Sequence, residues 1–273
     1  MEVNLIENEY QNHTIFLVLS SNPLMSVTSD LEKFYDSEAK KYHQTRQKHR
    51  ADAEMILSAL KSLNKSDTPT ILELWCWWWR GTTLLKEHYK TSFSYTWVDI
   101  SSKLLSYAEK DNPNFSFVHS DMNSYLTTLK QESVDVVLAC ASFQHIPDEK
   151  SRITILKNIF RVLKYDGIII FTNRACSERF LKTHWKALVM AAFKEVLSFW
   201  KASRRDIMVP WISEKWKQYR YYHLFSLEEL EKLTALSWLT VQELHYLNRK
   251  WDITPTWKNA NNSFLVAKKT IYK

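Results

Sequence analysis

Apolar and polar positions alternate in blocks along the chain from residue 70 onward. Short apolar runs predict buried strands, and the stretches between several of them carry apolar residues at helical spacing. The predicted strands are Thr70–Leu74, Phe93–Val98, Phe115–His119, Val134–Ala139 and Gly167–Thr172, and the predicted helices are Thr82–His88, Ser102–Lys110 and Lys150–Leu163. Strands that alternate with helices at this spacing indicate an α/β fold, in which helices cover both faces of a mostly parallel sheet.

The pattern changes on both sides of this block. Residues 29–63 are predicted to be helical, with Ser29 or Asp30 as the cap and a break after Tyr42. Residues 176–235 lose the alternation and are rich in aromatic and basic side chains. That stretch ends in Ser-Leu-Glu-Glu at 226–229, a capping box that predicts the start of a helix.

Two last strands are predicted at Thr240–Leu244 and Ser263–Ala267. We therefore predict one domain over residues 29–273, with a basic, aromatic insertion at about 176–235. Residues 1–28 are expected to be an N-terminal extension that is either poorly ordered or wrongly assigned, in which case the true start is Met25 and residues 1–24 lie upstream of it.

Charge is distributed unevenly between the two halves of the chain. Residues 1–150 hold 15 Lys and Arg against 20 Asp and Glu, whereas residues 151–273 hold 22 against 10. A basic half beside a near-neutral one favours a polyanionic partner, nucleic acid first, and the alternative is a solvated basic surface.

Cysteine usage and hydropathy exclude several classes of protein. The three cysteines are far apart and form no CxxC pair, so neither a zinc site nor a disulfide framework is predicted, and no metal is expected. The longest N-terminal apolar run, at 15–19, is too short to span a bilayer, and acidic residues precede it. These features predict a cytoplasmic protein without a membrane partner.

The strongest chemical signal lies directly after the first predicted strand. Residues 71–81 read Ile-Leu-Glu-Leu-Trp-Cys-Trp-Trp-Trp-Arg-Gly, between a strand and a helix, where a doubly wound fold binds its nucleotide. Such a loop needs glycine for its tight turn and for close approach of the backbone to the ligand. The chain has 2 Gly and 12 Trp, whereas ordinary usage gives about 19 Gly at this length.

Reading these tryptophans as glycines gives Glu-Leu-Gly-Cys-Gly-Gly-Gly-Arg-Gly. We predict that about ten Trp letters stand for glycine, because the codon UGA is read as Trp in some genetic codes and as Gly in others. The positions that fit glycine are Trp75, Trp77, Trp78, Trp79, Trp97, Trp200, Trp216, Trp238, Trp251 and Trp257, whereas Trp185 and Trp211 look like genuine tryptophans. The alternative is a genuinely Trp-rich protein whose loop is blocked.

With glycine in the loop, the segment resembles the first motif of class I S-adenosylmethionine (SAM) methyltransferases. The resemblance implies a Rossmann-like fold with a mostly parallel seven-stranded sheet, and SAM as the cofactor. Glu73, Trp75, Cys76, Trp77 and Trp79 would then border the methionine end of SAM.

The ends of the next strands complete the expected cofactor site. Asp99, followed by Ile100, ends the second strand, where an acidic residue accepts hydrogen bonds from the ribose hydroxyls. The family resemblance places Asp121 at the adenine amino group and Met122 against the ring. Ala141 belongs to the stretch after the fourth strand, which is expected to border both SAM and substrate.

Further motifs resemble one branch of this class, the tRNA wobble-uridine carboxymethyl methyltransferases. They are Tyr42-His-Gln-Thr-Arg46, Ser142-Phe-Gln-His-Ile146, Asp206-Ile-Met-Val-Pro-Trp211, Arg220-Tyr-Tyr-His-Leu-Phe225 and Asn259-Ala-Asn-Asn262. The resemblance covers roughly residues 29–273 and implies methylation of a 5-carboxymethyl group on the wobble uridine of tRNA. Gln144 departs from the family's His-His pattern. The family also implies a tRNA partner and, in some relatives, a small activating protein.

The substrate residues follow from these motifs. Arg46 and Arg220 are candidates to bind the uridine carboxylate or flanking phosphates, because arginine suits both groups. His145 is placed to shape the substrate pocket, and these three are the predicted catalytic residues. Tyr221, Tyr222 and His223 are candidates to stack on a splayed anticodon base, with Tyr42 and Trp211 beside them, as is usual for single-stranded RNA. Structural roles for these aromatic residues remain the alternative.

Two other functions share most of these features. A class I methyltransferase of a small metabolite would have the same SAM motifs but no need of a basic half. A catalytically inactive SAM-fold scaffold is the alternative if the tryptophans are genuine, because bulky indoles would fill the loop.

Overall fold

The computed structural model describes residues 23–45, 51–63, 68–75, 82–89, 93–197, 203, 205–212 and 217–270. Its helices are α1 (Pro23–Thr45), α2 (Ala51–Leu63), α3 (Thr82–His88), α4 (Ser102–Asp111), α5 (Met122–Thr128), α6 (Glu149–Val162), α7 (Glu178–Thr183), α8 (Trp185–Leu197) and α9 (Leu227–Ala235). Its strands are β1 (Thr70–Leu74), β2 (Ser94–Asp99), β3 (Ser116–His119), β4 (Val134–Cys140), β5 (Leu163–Arg174), β6 (Asp206–Ile212), β7 (Lys217–His223), β8 (Thr240–Leu247), β9 (Ile253–Thr254) and β10 (Asn262–Lys268).

One large sheet organises the described part of the chain. Its strand order is β3-β2-β1-β4-β5-β10-β8-β9. The first five strands are parallel neighbours, and β10 runs antiparallel to both β5 and β8. The Rossmann-like α/β architecture is therefore confirmed. The sheet has eight strands rather than the predicted seven, because the two-residue β9 adds to the edge of β8.

Two apolar cores cover the two faces of this sheet. On one face, α1 and α6 pack through residues such as Leu31 and Ile155; on the other, α2 and α3 pack through residues such as Ile56 and Leu85. Strand β4 is apolar at six of its seven positions and contributes to both cores, as expected for a strand covered by helices on both sides.

The insertion folds into a helical pair and a separate hairpin. Helices α7 and α8 precede the antiparallel pair β6–β7, whose register joins Asp206 to His223. The sequence pattern predicted only the helix that follows, and Ser226 does cap α9 by accepting from the Glu229 amide. At the other end, α1 begins at Pro23, six residues before the predicted start of the helical stretch.

The described residues contain no helix that is long and apolar enough to cross a membrane. In the same part of the chain, no three His, Cys, Asp or Glu side chains are grouped so that they could hold a metal ion.

Candidate functional site

The candidate site lies at the carboxyl ends of β1, β2 and β4. Strands β1 and β4 are neighbours in the sheet. After β1 the chain continues to β2 on one side of this pair, and after β4 it continues to β5 on the other side. A parallel α/β sheet opens a crevice where its strand order reverses in this way. The topology therefore places the predicted cofactor residues together at one edge of the sheet.

Two acidic side chains lie at the carboxyl ends of β1 and β2, on one side of this crevice. Glu73 is fully buried, and its Oε2 accepts from the Tyr95 hydroxyl at 2.9 Å and from the indole Nε1 of Trp97. Asp99 is buried at the end of β2, where its Oδ1 accepts from the Ser101 amide at 2.7 Å. Ile100 is buried directly after it. Both carboxylates lie at the carboxyl ends of their strands, and both accept hydrogen bonds from protein groups.

The ends of β3 and β4 carry the remaining described cofactor candidates. Asp121 caps α5, accepting at 3.0 Å from the amides of Asn123 and Ser124, and Met122 is buried beside it. Asp121 thus has a structural role that the sequence analysis did not anticipate. Ala141 turns the chain after β4 with φ 57°, and its amide donates to the Thr172 carbonyl at 2.6 Å.

Trp75 fills the space beyond the end of β1. Its indole is buried, stacks on His145 at 5.0 Å between ring centroids, and meets the Tyr35 ring edge-on at 5.3 Å. The predicted crowding of the loop is therefore present at its first residue. The other loop candidates, Cys76, Trp77 and Trp79, lie outside the described residues, as does Arg46.

Backbone geometry distinguishes some tryptophans from others. Trp75, Trp238 and Trp251 have φ values of 95°, 60° and 70°, in the left-handed region that favours glycine. All three were predicted to stand for glycine, but Trp97 and Trp257, which carry the same prediction, do not have positive φ. Trp185 and Trp211, predicted to be genuine, do not have positive φ either. The carboxylates at the strand ends fit SAM, and a glycine at 75 would leave open the cradle that the indole now fills.

Arg220 occupies an aromatic cage beside this crevice. Its guanidinium carbon lies 5.1 Å, 4.6 Å and 5.2 Å from the ring centroids of Phe34, Trp211 and Tyr222, and its Nη1 donates to the Tyr42 hydroxyl at 2.8 Å. The side chain is buried, and its Nε has no hydrogen-bond partner among the described residues.

Among the residues that the structure describes, no carboxylate pairs with the charge of Arg220. Burial acts to lower the pKa of Arg220, but the hydroxyls of Tyr222, Tyr35 and Tyr42 outweigh it and raise that pKa above its usual value. The group therefore stays protonated. A buried cation without an anion in contact is costly unless a ligand supplies the negative charge.

His145 lies between the cage and the crevice, and its hydrogen bonds define its tautomer. Its Nδ1 donates to the Tyr221 carbonyl at 2.8 Å, so its Nε2 is left to accept from the Tyr35 hydroxyl at 3.3 Å. Burial, together with the charge of Arg220, lowers the pKa of His145 to about 3. The imidazole is consequently neutral and a weak base at physiological pH.

Two predicted stacking residues have other roles in the structure. His223 is buried with both ring nitrogens bound to carboxylates, and the Tyr221 hydroxyl lies 2.6 Å from Asp206 Oδ1, so neither side chain presents a free face to a base. Strand alternation turns both away from Arg220 and Tyr222. The cage residues Phe34 and Tyr35 were missed, because their helical spacing in α1 indicates only a core face.

Comparisons with known proteins agree with this architecture. Residues 72–171 match the family model described as a methyltransferase domain. The Bacillus subtilis protein YqeM is 30% identical over 82 residues, which are 29% of this chain and 33% of that protein. The match thus spans a third of the curated relative's length.

Solved structures of methyltransferases share the fold over most of the chain. A SAM-dependent methyltransferase from Methanosarcina mazei covers 78% of this chain and 98% of its own, with a TM-score of 0.60 and 19% identity. Residues 72–171 thus match a methyltransferase domain, and the chain shares the fold of solved SAM-dependent methyltransferases.

Two further structures bear on ligand and assembly. The 1,6-didemethyltoxoflavin-N1-methyltransferase of Burkholderia thailandensis, solved with S-adenosylhomocysteine, covers 92% of both chains with a TM-score of 0.59 and 13% identity. A chain from the Haloferax volcanii complex with the Trm112 methyltransferase activator covers 89% of this chain and 98% of its own, with a TM-score of 0.59 and 15% identity. Both structures share the fold of this chain, and the first of them holds S-adenosylhomocysteine.

Proposed function

We propose that this chain is a SAM-dependent methyltransferase that esterifies the 5-carboxymethyl group of wobble uridine in tRNA. The observation that carries the proposal is the buried guanidinium of Arg220, which lacks a carboxylate partner among the described residues. A substrate carboxylate would supply the missing charge and an acceptor for Nε. Arginine binds carboxylates through paired N–H groups, so the chemistry of the cage fits this ligand.

The reaction needs positioning more than proton transfer. SAM, when bound, supplies an electrophilic methyl group, and an ionised carboxylate is already a competent nucleophile at neutral pH. Arg220 and Tyr42 would orient the carboxylate, and the neutral His145 would pack beside it without removing a proton. Catalysis would then come from the alignment of the reacting groups.

The tRNA partner is supported by charge and by the family motifs. The sequence of the C-terminal half has basic residues such as Arg204, Lys215 and Lys217 beside the Val-Pro-Trp and Arg-Tyr-Tyr-His segments, which resemble the wobble-uridine enzymes. Phosphate contacts by such residues give binding that weakens steeply with salt. A small activating protein is a further proposed partner, as the Haloferax volcanii complex contains one.

The glycine interpretation is part of the same proposal. Trp75, Trp238 and Trp251 occupy left-handed backbone positions, and the indole of Trp75 lies where the methionine end of SAM is expected. With glycine at 75, 77, 78 and 79 the loop would accept the cofactor, and the same interpretation puts glycine at 97 in β2. With tryptophan in the loop, the chain would be an inactive scaffold. The codons decide between the two, because UGG at these positions contradicts the proposal.

The decisive comparison uses two forms of one tRNA. One carries 5-carboxymethyluridine at the wobble position, and the other carries unmodified uridine as the matched control. Both are incubated with labelled SAM and with the chain bearing Trp75→Gly, Trp77→Gly, Trp78→Gly, Trp79→Gly and Trp97→Gly. We expect labelling of the carboxymethylated tRNA alone. Equal labelling of both tRNAs, or labelling of neither, contradicts the proposed substrate.

A metabolite methyltransferase is the competing function, and tRNA binding separates the two. The tRNA enzyme should bind bulk tRNA with an affinity that falls steeply between low and physiological salt. An enzyme for small metabolites should show no such binding and should methylate small carboxylic acids as readily as tRNA.

A further inference from the structure

A buried ionic cluster lies behind the hairpin, on the side away from Arg220. His223 stands at its centre: Nδ1 lies 2.6 Å from Asp206 Oδ1, and Nε2 lies 2.7 Å from Glu229 Oε1. Each ring nitrogen lies within hydrogen-bond distance of a carboxylate oxygen, so His223 is held between two acidic side chains. Its side chain is 2% exposed.

Other elements contribute charges to the same cluster. Arg152, from α6, lies 3.6 Å from Asp206 and 3.5 Å from Glu229, and its side chain is 3% exposed. Arg205 Nη1 lies 2.7 Å from Glu229 Oε2. The cluster therefore ties the start of β6 and the end of β7 to α6 and to the first turn of α9. Helices α6 and α9 both pack on the large sheet, so the cluster joins the hairpin to the rigid part of the molecule.

Strand β7 of the hairpin connects the ionic cluster to the cage, because its alternate residues contact one or the other. In β7, Tyr221 and His223 face the cluster, whereas Arg220 and Tyr222 face the cage. The Tyr221 hydroxyl donates to the Pro147 carbonyl at 2.9 Å and lies 2.6 Å from Asp206 Oδ1. The backbone carbonyl of Tyr221 accepts from His145 Nδ1. A shift of β7 would thus move Arg220 and His145 together.

We infer that His223, clamped between Asp206 and Glu229, is a positioning residue that fixes the hairpin so that Arg220 and Tyr222 are held over the methyl-transfer site. The identity of the substrate in this inference rests on the proposed function, whereas the anchoring of the hairpin by His223 does not depend on it. It assigns to the Arg-Tyr-Tyr-His segment two separate tasks: the first and third residues face the substrate, and the second and fourth anchor the strand. The exposed pair of Glu149 and Lys232, at the same two helices, offers a matched control.

The first test needs no substrate. Hydrogen exchange is measured in the full chain and in the His223→Gln variant, with Glu149→Gln as the control. We expect amides of the hairpin to exchange roughly tenfold faster in His223→Gln, while those of β4 and β5 keep their protection, because the loss is local. If His223→Gln does not fold, it is replaced by Asp206→Asn, which removes the carboxylate charge from the contact with His223 and so weakens the clamp. Unchanged exchange in the hairpin of the folded variant overturns the inference.

The second test asks whether the cluster acts through Arg220. For methylation of carboxymethylated tRNA, His223→Gln should raise KM about tenfold with little change in kcat, and the same substitution should have almost no further effect in an Arg220→Lys background, since coupled residues are not additive. Fully additive effects contradict a positioning role. If the glycine-containing chain without changes at Arg220 or His223 methylates no wobble uridine, the proposed function fails, whereas the exchange experiment still decides whether the hairpin is anchored in this way.

Discussion

Replacing Arg220 by methionine separates the stability of the protein from its function. The substitution keeps the length of the side chain in the cage of Phe34, Trp211 and Tyr222 but removes its charge. The expected result is a protein that is nearly as stable as before and that no longer binds its substrate carboxylate.

The magnitude follows from opposing contributions. An uncompensated buried charge costs about 3–5 kcal/mol. Against this, cation–π contacts with Phe34, Trp211 and Tyr222 contribute about 1 kcal/mol each, and the hydrogen bond to Tyr42 contributes about 1.5–3 kcal/mol. These effects nearly cancel, so Arg220→Met should change the free energy of unfolding by less than about 2 kcal/mol.

Function should respond far more strongly. Removing one partner of a buried, hydrogen-bonded charge pair costs about 2–5 kcal/mol of binding, or roughly 30- to 5000-fold in kcat/KM. Urea unfolding and steady-state kinetics on carboxymethylated tRNA measure the two quantities. The buried Arg152, which has Asp206 and Glu229 as partners, is the matched control; Arg152→Met should lose about 3–5 kcal/mol of stability. If Arg220→Met is destabilised as much as this control, or keeps its kcat/KM, the reasoning is refuted.

Three further predictions concern acid stability, backbone strain and RNA binding. The pKa of His145 is about 3 in the folded protein and 6.5 in the unfolded chain, so the unfolded chain binds more protons below pH 6.5. The free energy of unfolding should therefore fall as the pH drops from 6.5 toward 3, and at pH 4.5 it should be lower by about 2–3 kcal/mol. Urea melts of His145→Gln should lack this loss, and equal acid sensitivity would contradict a neutral buried imidazole. Trp238 is exposed and has φ 60°, so Trp238→Gly should leave the stability of the fold unchanged or raise it by about 1 kcal/mol. Trp185→Gly, in α8, should lower stability in the same thermal melts. If Trp238→Gly is the more destabilising of the two, residue 238 is a genuine tryptophan. The affinity for tRNA should fall steeply with salt in filter binding, and a flat salt dependence would argue against phosphate contacts.

The apolar pattern predicted the large sheet because its strands are buried on both faces. Runs such as Val134–Ala139 need no tertiary information to be recognised, and the observed β4 differs by one residue. The same pattern could not reveal α5, a seven-residue helix that is mostly polar and begins at the Asp121 cap. Asp121 was interpreted as a ligand, and its short-range capping signal was therefore overlooked.

The insertion was not predictable in the same way. Strand β7 reads Lys-Gln-Tyr-Arg-Tyr-Tyr-His, which has no apolar alternation, and its residues become buried only through partners distant in the sequence. His223 gains its charge partners from Asp206 and Glu229, and Arg220 gains its cage from α1. The family resemblance identified Arg220 and Tyr222 as important, but only the three-dimensional arrangement separates them from Tyr221 and His223.

The central claim is that the carboxylate of a wobble carboxymethyluridine receives the methyl group beside Arg220. Nucleoside mass spectrometry of tRNA treated with SAM and the glycine-containing chain tests it most directly. The account predicts a wobble nucleoside one CH₂ heavier than 5-carboxymethyluridine that reverts on mild alkaline hydrolysis, as a methyl ester must. A product that resists alkali, or methylation at any other nucleoside, would contradict the account.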